Sequence, residues 1–397
     1  MLQSITDIDD LQFYGRRVFV RVDFNVSLKN GTVGEDHRIR MSIPTIDYLV
    51  KRGAKVILAS HLDRPKFYDE TKSLKLVSQR LGEMLGNTKV SFVNDCIGKP
   101  VLDNIEKLNF GEILLLENLR FHQGEEENDP TFCCQLSELA DIYVNDAFST
   151  SHRKHASTYG IVKDFDIRLA GLNLKKELEY LSMIRFNPQK PFTLIVGGSK
   201  IKDKIGALEN LLPRADKLLV GGAVAYTFLK AKGYHTGTSL IDNEHLPWVT
   251  GALSDYGDKI MLPVDHLISR SPEEDSFSLV KDNIPEGFCG YDIGIQTAQA
   301  YSKEIAGKGS GTVFWNGPMG MFEQFRYANG TVNVAKSIAL AYWRGSTTLV
   351  GGGDTLEAMK FGGVSESEVS HVSTGGGATL RFLAGDEMPG IEAIERQ

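Results

Sequence analysis

Nine short runs rich in β-branched and aliphatic residues constrain this chain most, each closing in a polar or glycine-rich turn before helical periodicity sets in. In the first half they are VFVRVDFN (18–25), KVILAS (55–60), EILLLENLR (112–120) and DIYVNDAF (141–148). In the second they are FTLIVGGSK (192–200), KLLVGGAVA (217–225), KIMLPVDHL (259–267), TVFWNGPMG (312–320) and TTLVGGGDT (347–355). Strands that alternate with helices predict parallel sheets covered on both faces. The fold class is therefore α/β: two doubly wound domains, each a parallel sheet flanked by helices, with an interdomain cleft. Such sheets carry ligands beyond the carboxyl ends of their strands. Asp23, Asn25, His61, Arg120, Lys200, Asn316 and Asp354 all sit at those ends.

Between the halves lies GLNLKKELEYLSMIRFN (171–187), with Leu174, Leu178, Leu181 and Phe186 near helical spacing and Pro188 and Pro191 beyond to stop it. A length of 397 residues suits two or three domains. The expected division is an N-terminal domain over 1–187 that includes this junction helix, a C-terminal domain over 188–380, and a tail over 381–397 that returns to the N-terminal domain.

A net charge of -7 argues against nucleic acid as a partner, so any anion site must be built from a few placed cations. The start, MLQSITDIDD, has no apolar core of a secretory signal, and no apolar run is long enough to span a bilayer. Cys96, Cys133, Cys134 and Cys289 lack C-x-x-C or zinc spacing. A cytoplasmic protein with no membrane partner is expected.

The chain lacks both the G-x-x-x-x-G-K-S/T loop and the G-x-G-x-x-G fingerprint. Instead VGGSKIKDKIG (196–206), VGGAVAYTF (220–228), VGGGDT (350–355) and STGGGAT (373–379) each put adjacent glycines after an apolar run. N–H groups exposed at such a turn would cradle phosphate, with the helix dipole assisting. Each could equally be a tight turn; four in one half point to a polyanion. Lys200 and Lys204, four apart, would share a helix face. Asp354 could ligate Mg²⁺ beside phosphate oxygens or simply cap a helix. In the first half Arg38, His61, Arg64, Arg120 and Arg153 lie near strand ends. A convergent arginine set suits a small, multiply charged acid, although each alone is commonly a surface ion-pair partner.

RVDFNV, RIRMSIPTI, SHLDRP, LLLENLRFHQGEE, YVNDAFSTSHRKHAS, GGSKIKDKI, WNGPMGMFE, GGGDT and HVSTGGGAT occur in an order that resembles the phosphoglycerate kinase family, from Val18 to about Thr379. YVNDAF and WNGPMG are the specific members of that set. The resemblance implies that Asp23, Phe24, Asn25, Arg38, His61, Leu62, Asp63, Arg64, Arg120 and Arg153 hold 3-phosphoglycerate or 1,3-bisphosphoglycerate. It implies catalytic roles for Arg38 and Lys200, with Lys200 reaching the transferring phosphoryl group. Nucleotide contacts would come from Lys204, Gly221, Gly222, Asn316, Glu323, Gly352, Gly353, Asp354 and Thr355. Asp354 would face Mg²⁺, with ADP or ATP as the other substrate, in a hinge-bending monomer. Ser27, Asp63, Ser149, Ser151, Ile295 and Arg381 depart from the family pattern. Asp63, where the family has glycine, adds a carboxylate beside His61 and Arg64 and is expected to weaken the acid site if that carboxylate points towards the substrate anion.

In the ATP-forming direction of that reaction the nucleophile is an already ionised phosphate and the leaving group a carboxylate, so no general base is needed. Arg, Lys and Gly, rather than a Ser/His/Asp triad, are then the expected machinery. Another carboxylate kinase or ligase would have no reason to match YVNDAF and WNGPMG in order. A binding protein that closes on an anion would have no use for Lys200 and GGGDT.

Overall fold

The computed structural model describes residues 2–29, 31–274, 276–307, 309 and 311–395. Met1, Asn30, Asp275, Lys308, Ser310, Arg396 and Gln397, which fall in the three expected segments, lie outside the described residues. The chain divides into two compact units, Met1–Glu179 with Glu387–Gln397, and Tyr180–Asp386.

The first unit runs β1 (Arg17–Arg21), a hairpin of β2 (Leu28–Lys29) and β3 (Thr32–Val33), α1 (His37–Lys51), β4 (Lys55–Ala59), α2 (Lys75–Leu85), β5 (Val90–Phe92), α3 (Lys99–Glu106), β6 (Ile113–Leu115), α4 (Gln123–Glu127), α5 (Pro130–Ser137), β7 (Ile142–Asn145) and β8 (Arg168–Ala170). It reaches into α6 (Leu172–Phe186), the helix within which the division between the units falls. Six strands pair in parallel in the order β5-β6-β4-β1-β7-β8. Val18, Val20, Val56, Leu58, Ile113, Leu115, Ile142 and Val144 point into one core with Ile39, Ile46 and Leu49 of α1. That is the near-continuous apolar strand of a sheet buried on both faces.

The strands are shorter than the apolar runs that announce them. β1 stops at Arg21 and β6 at Leu115, and beyond those residues the chain turns into loops. After β1 the reason is local: Phe24 donates its N–H to Ser60 Oγ at 2.8 Å, and Asn25 donates to Asp23 Oδ1 at 3.0 Å. Side-chain acceptors thus replace the ladder. The three-residue edge strands β5 and β8 are too brief to leave a period in the sequence.

The second unit runs β9 (Phe192–Val196), α7 (Ile205–Leu211), β10 (Lys217–Val220), α8 (Val224–Ala231), α9 (Leu246–Tyr256), β11 (Ile260–Met261), β12 (Asp265–Ser269), β13 (Ser278–Lys281), β14 (Cys289–Ile293), α10 (Ile295–Ala306), β15 (Thr312–Asn316), α11 (Asn329–Trp343), β16 (Thr347–Gly351), α12 (Gly353–Phe361), β17 (His371–Ser373) and α13 (Gly377–Ala384). Its parallel sheet has the order β11-β10-β9-β15-β16-β17, and Trp315, Ile195 and Val350 are fully buried in its core. A separate antiparallel sheet, β13-β12-β14, is an addition to the expected α/β pattern. The run KIMLPVDHL therefore serves two sheets: Ile260 and Met261 end one at its edge, and Asp265 begins the other after Pro263. Beyond Asp386 the chain rejoins the first unit through α14 (Pro389–Glu392).

Candidate active-site residues

On the first unit the loops after β1, β4, β6 and β7 bring the expected acid ligands to one end of the sheet. Asp23 is buried, and its Oδ2 takes both the Arg38 guanidinium from α1 and the Ser149 hydroxyl. Asn25 Oδ1 accepts the Asp63 N–H at 2.7 Å, and Arg120 donates to the Asp63 carbonyl. His61 is 5 % exposed, and burial beside Arg21, Arg120, Arg153 and Arg38 holds its imidazole well below the usual range, hence uncharged. Burial beside Arg153, Arg21, Arg120 and His152 pushes His155 down to about 3. Phe24 and Leu62 are buried and fix backbone rather than offer chemistry; the exposed Arg64 guanidinium has no partner among the described residues.

Asp63 differs from expectation. Its φ is +57°, a left-handed conformation that explains glycine at this place and that aspartate tolerates. Its carboxylate lies 2.5 Å from Lys72 Nζ, which holds it below the ordinary carboxylate range. The added charge is thus already paired.

Several supporting residues lie within the motif runs without being among the expected ligands. Asn118 accepts the N–H groups of Leu62 and Arg120, both at 3.1 Å, and donates to the carbonyls of Leu62 and Lys72. It ties the loop after β6 to the loop after β4. Asn145, last in β7, donates to Ser151 Oγ and to the Gly390 carbonyl, while Gly390 donates back to Ser151 O at 2.8 Å. Ser151, one of the departures, thereby joins the Arg153 loop to α14. Only a side-chain amide followed closely by a turn could have hinted at either role.

On the second unit the glycines of the first two loops take the tight-turn alternative. Gly197 donates to Asn316 O, Gly198 to Pro318 O, Gly221 to Val196 O and Gly222 to Met319 O, all within 2.7–2.9 Å. A Cβ on Gly197 would lie 2.0 Å from Pro318 O, and one on Gly222, at φ +60°, 2.5 Å from Gly198 N. These glycines let three loops lace together, so their N–H groups form a scaffold rather than an open cradle. The open positions are Gly353, Gly376 and Gly377, where an added Cβ would meet nothing within 4 Å, at the first turns of α12 and α13. Helix starts leave N–H groups without helical acceptors, which suits anions.

Asp354 lies inside the first turn of α12, behind the cap residue Gly352, so it is not the helix cap. Its carboxylate is exposed and has no hydrogen bond or ion pair among the described residues. Thr355 is buried, accepting Gly317 N–H at 2.8 Å and donating to Gly351 O at 2.7 Å, and Asn316 Nδ2 donates to the same carbonyl. Lys200 and Lys204 do not share a helix face: Lys200 precedes the 3₁₀ turn Lys202–Lys204, and Lys204 Nζ reaches back to the Lys200 carbonyl at 3.2 Å. Burial lowers the Lys204 ammonium, with Asp203 and Asp354 opposing. Lys200 is exposed, and so is Glu323, whose side chain joins no other site residue.

The chain matches the family model described as phosphoglycerate kinase over residues 8–386. A phosphoglycerate kinase of Solibacter usitatus is 49 % identical over 399 residues, covering 99 % of this chain and 100 % of that one. One from Picosynechococcus is 44 % identical, with 99 % of each covered. The solved phosphoglycerate kinase of Coxiella burnetii superposes with a TM-score of 0.85 at 35 % identity, covering 99 % of both chains. On the strength of family match, relatives and architecture together, this chain belongs to the phosphoglycerate kinase family, glycolytic phosphotransferases with a carboxyl group as acceptor that interconvert 1,3-bisphosphoglycerate plus ADP and 3-phosphoglycerate plus ATP.

Proposed function

We propose that the first unit holds the acid substrate through Asp23, Asn25, Arg38, His61, Arg64, Arg120 and Arg153, and that the second holds a magnesium nucleotide through Lys200, Lys204, Gly221, Gly222, Asn316, Glu323 and the first turn of α12. The observation that carries the acid site is the cluster of Arg21, Arg38, Arg120 and Arg153 about one uncharged imidazole. Planar guanidiniums read carboxylate and phosphate oxygens in pairs.

At α12 the Gly352, Gly353 and Thr355 backbone would meet phosphate oxygens, and the unpaired Asp354 carboxylate fits Mg²⁺, a hard cation that takes one or two carboxylates alongside phosphates. When bound, that ion would offset charge on the phosphates. Lys200 would neutralise the moving phosphoryl group and Arg38 the carboxylate it leaves or joins. No side chain acts as general base: Asp23 is engaged by Arg38 and Ser149, and His61 is held neutral by its surroundings. In-line transfer requires reacting atoms within about 3–3.5 Å, so substrates docked on separate units demand that the units close, with α6 as the mechanical link. The same reading makes the enzyme a cytoplasmic monomer; among the described residues no helix is long and apolar enough to cross a membrane.

A coupled assay of ATP-dependent 3-phosphoglycerate phosphorylation, with and without Mg²⁺, tests this reading. Activity should require the metal, and Lys200→Ala should lower kcat by roughly 10²-fold, about 3 kcal/mol, with little change in KM for ATP. Unchanged kcat with a raised KM would reduce Lys200 to a ground-state ligand.

A further inference from the structure

Beneath the acid cluster lies a buried chain of side chains that stand within the motif runs but are not among the expected ligands. Arg21, the last residue of β1, is 1 % exposed. Its Nε donates to Ser157 Oγ at 2.8 Å, one terminal nitrogen donates to the Val22 carbonyl, and the other lies 3.2 Å from His61 Nδ1. Ser157 donates in turn from its hydroxyl to Glu125 Oε1 at 2.6 Å and from its N–H to Glu125 Oε2 at 2.9 Å. Glu125, on α4, is itself buried, and Tyr143 of β7 donates to the Ser157 carbonyl at 2.9 Å. Every link is thus fixed from a different element: β1, α4, β7 and the turn Ala156–Gly160.

A guanidinium only donates, so the contact with Arg21 obliges His61 Nδ1 to accept. Nδ1 then carries no proton, and the one ring proton sits on Nε2. The contact to Arg21 is made by Nδ1, which leaves Nε2 without a hydrogen bond among the described residues. The groups that act on this ring from the neighbouring elements are cations: Arg21 on β1, Arg38 on α1, and Arg120 and Arg153 on loops. An imidazolium would add a further like charge among them.

We propose that Arg21 is a positioning residue for the family reaction: anchored through Ser157 to Glu125, it locks His61 as the Nε2–H tautomer and so presents an uncharged donor to an oxygen of the acid substrate. The proposal rests on the acid-site reading under Proposed function. A neutral donor selects an oxygen by position, where a further cation would only deepen the general attraction for anions. It distinguishes a hydroxy acid whose oxygen falls at that point from other acids of equal charge.

Long-range proton–nitrogen NMR on the full chain tests this, with the His61 ring assigned by its loss in His61→Gln. Between pH 6 and 8 the wild type should show Nε2 in the protonated range and Nδ1 in the unprotonated range. Arg21→Lys should give mixed tautomers and raise KM for 3-phosphoglycerate about tenfold, the loss of one hydrogen bond, with kcat and KM for ATP little changed. His61→Gln keeps an amide donor near Nε2, so adding Arg21→Lys to it should cost much less than tenfold. A protonated Nδ1 or an imidazolium in the wild type would overturn the proposal, and this needs no variant to fold. An Arg21→Lys protein with an unchanged tautomer and KM would overturn it too. His61 signals of the expected tautomer that ignore added 3-phosphoglycerate would instead remove the acid-site reading, and with it the donor's role.

Discussion

A single carboxylate shows how far a sequence can mislead at the scale of one residue. Asp63 reads as an added negative charge beside the acid ligands, but the structure turns it onto Lys72, nine positions on in a loop with no periodicity to betray the fold-back. A glycine at this position should therefore not tighten 3-phosphoglycerate binding as the bare sequence suggests. An exposed ion pair is worth about 1 kcal/mol or less, and glycine accepts the positive φ without strain. Asp63→Gly should shift the 3-phosphoglycerate Kd by less than about threefold. Lys72→Met, which frees the carboxylate beside the Arg120 contact, should weaken binding more. Calorimetric titration of both variants decides it, and a tenfold tightening in Asp63→Gly would contradict the pairing. Asn118 and Arg21 were illegible for a different reason: their work is done by contacts across the sheet, which no local pattern records.

Elements were more legible than their edges. The helix over 171–187 and the strand cores follow directly from apolar period and proline stops, because burial on one stripe or both faces leaves that mark. Among the glycine loops, those at 196–206 and 220–228 serve close backbone approach, while those at 350–355 and 373–379 leave open helix starts, since close approach of backbones and exposure of N–H groups both select glycine. Gly222→Ala discriminates: positive φ and a Cβ 2.5 Å from Gly198 N should displace the loops and raise the Kd for MgADP by roughly tenfold or more, while 3-phosphoglycerate binding is retained. Unaltered nucleotide binding would show that the lacing does not shape the site. Asp292, on β14, supplies a second test. It is buried, accepts the N–H of Gly330 in the first turn of α11 at 2.8 Å, and burial pushes its carboxyl up to about 8. A raised folded value means that folding takes up a proton. The contribution to stability is therefore greatest at low pH and declines as pH rises from about 4 towards 8, by up to about 1.4 kcal/mol per unit. Denaturant unfolding between pH 5.5 and 8 should show wild type losing stability relative to Asp292→Asn over that interval; parallel curves would mean that Asp292 is ionised throughout.

At the scale of the whole molecule, two parallel sheets were readable from the alternation of strands and helices, but their strand orders and the three-stranded antiparallel addition were not. Order is set by which faces and edges cover one another, and the apolar runs of β1, β4 and β7 look alike. Central to the proposed function is a division of labour: acid on the first unit, nucleotide on the second. Hydrogen exchange resolved along the full chain measures this directly. With 3-phosphoglycerate alone, protection should concentrate at residues 22–26, 60–64, 117–121 and 148–153. With MgADP alone it should concentrate at residues 197–204, 221–222, 316–323 and 352–355. Protection of the 352–355 turn by 3-phosphoglycerate alone, with the 60–64 loop left unprotected, would contradict the assignment.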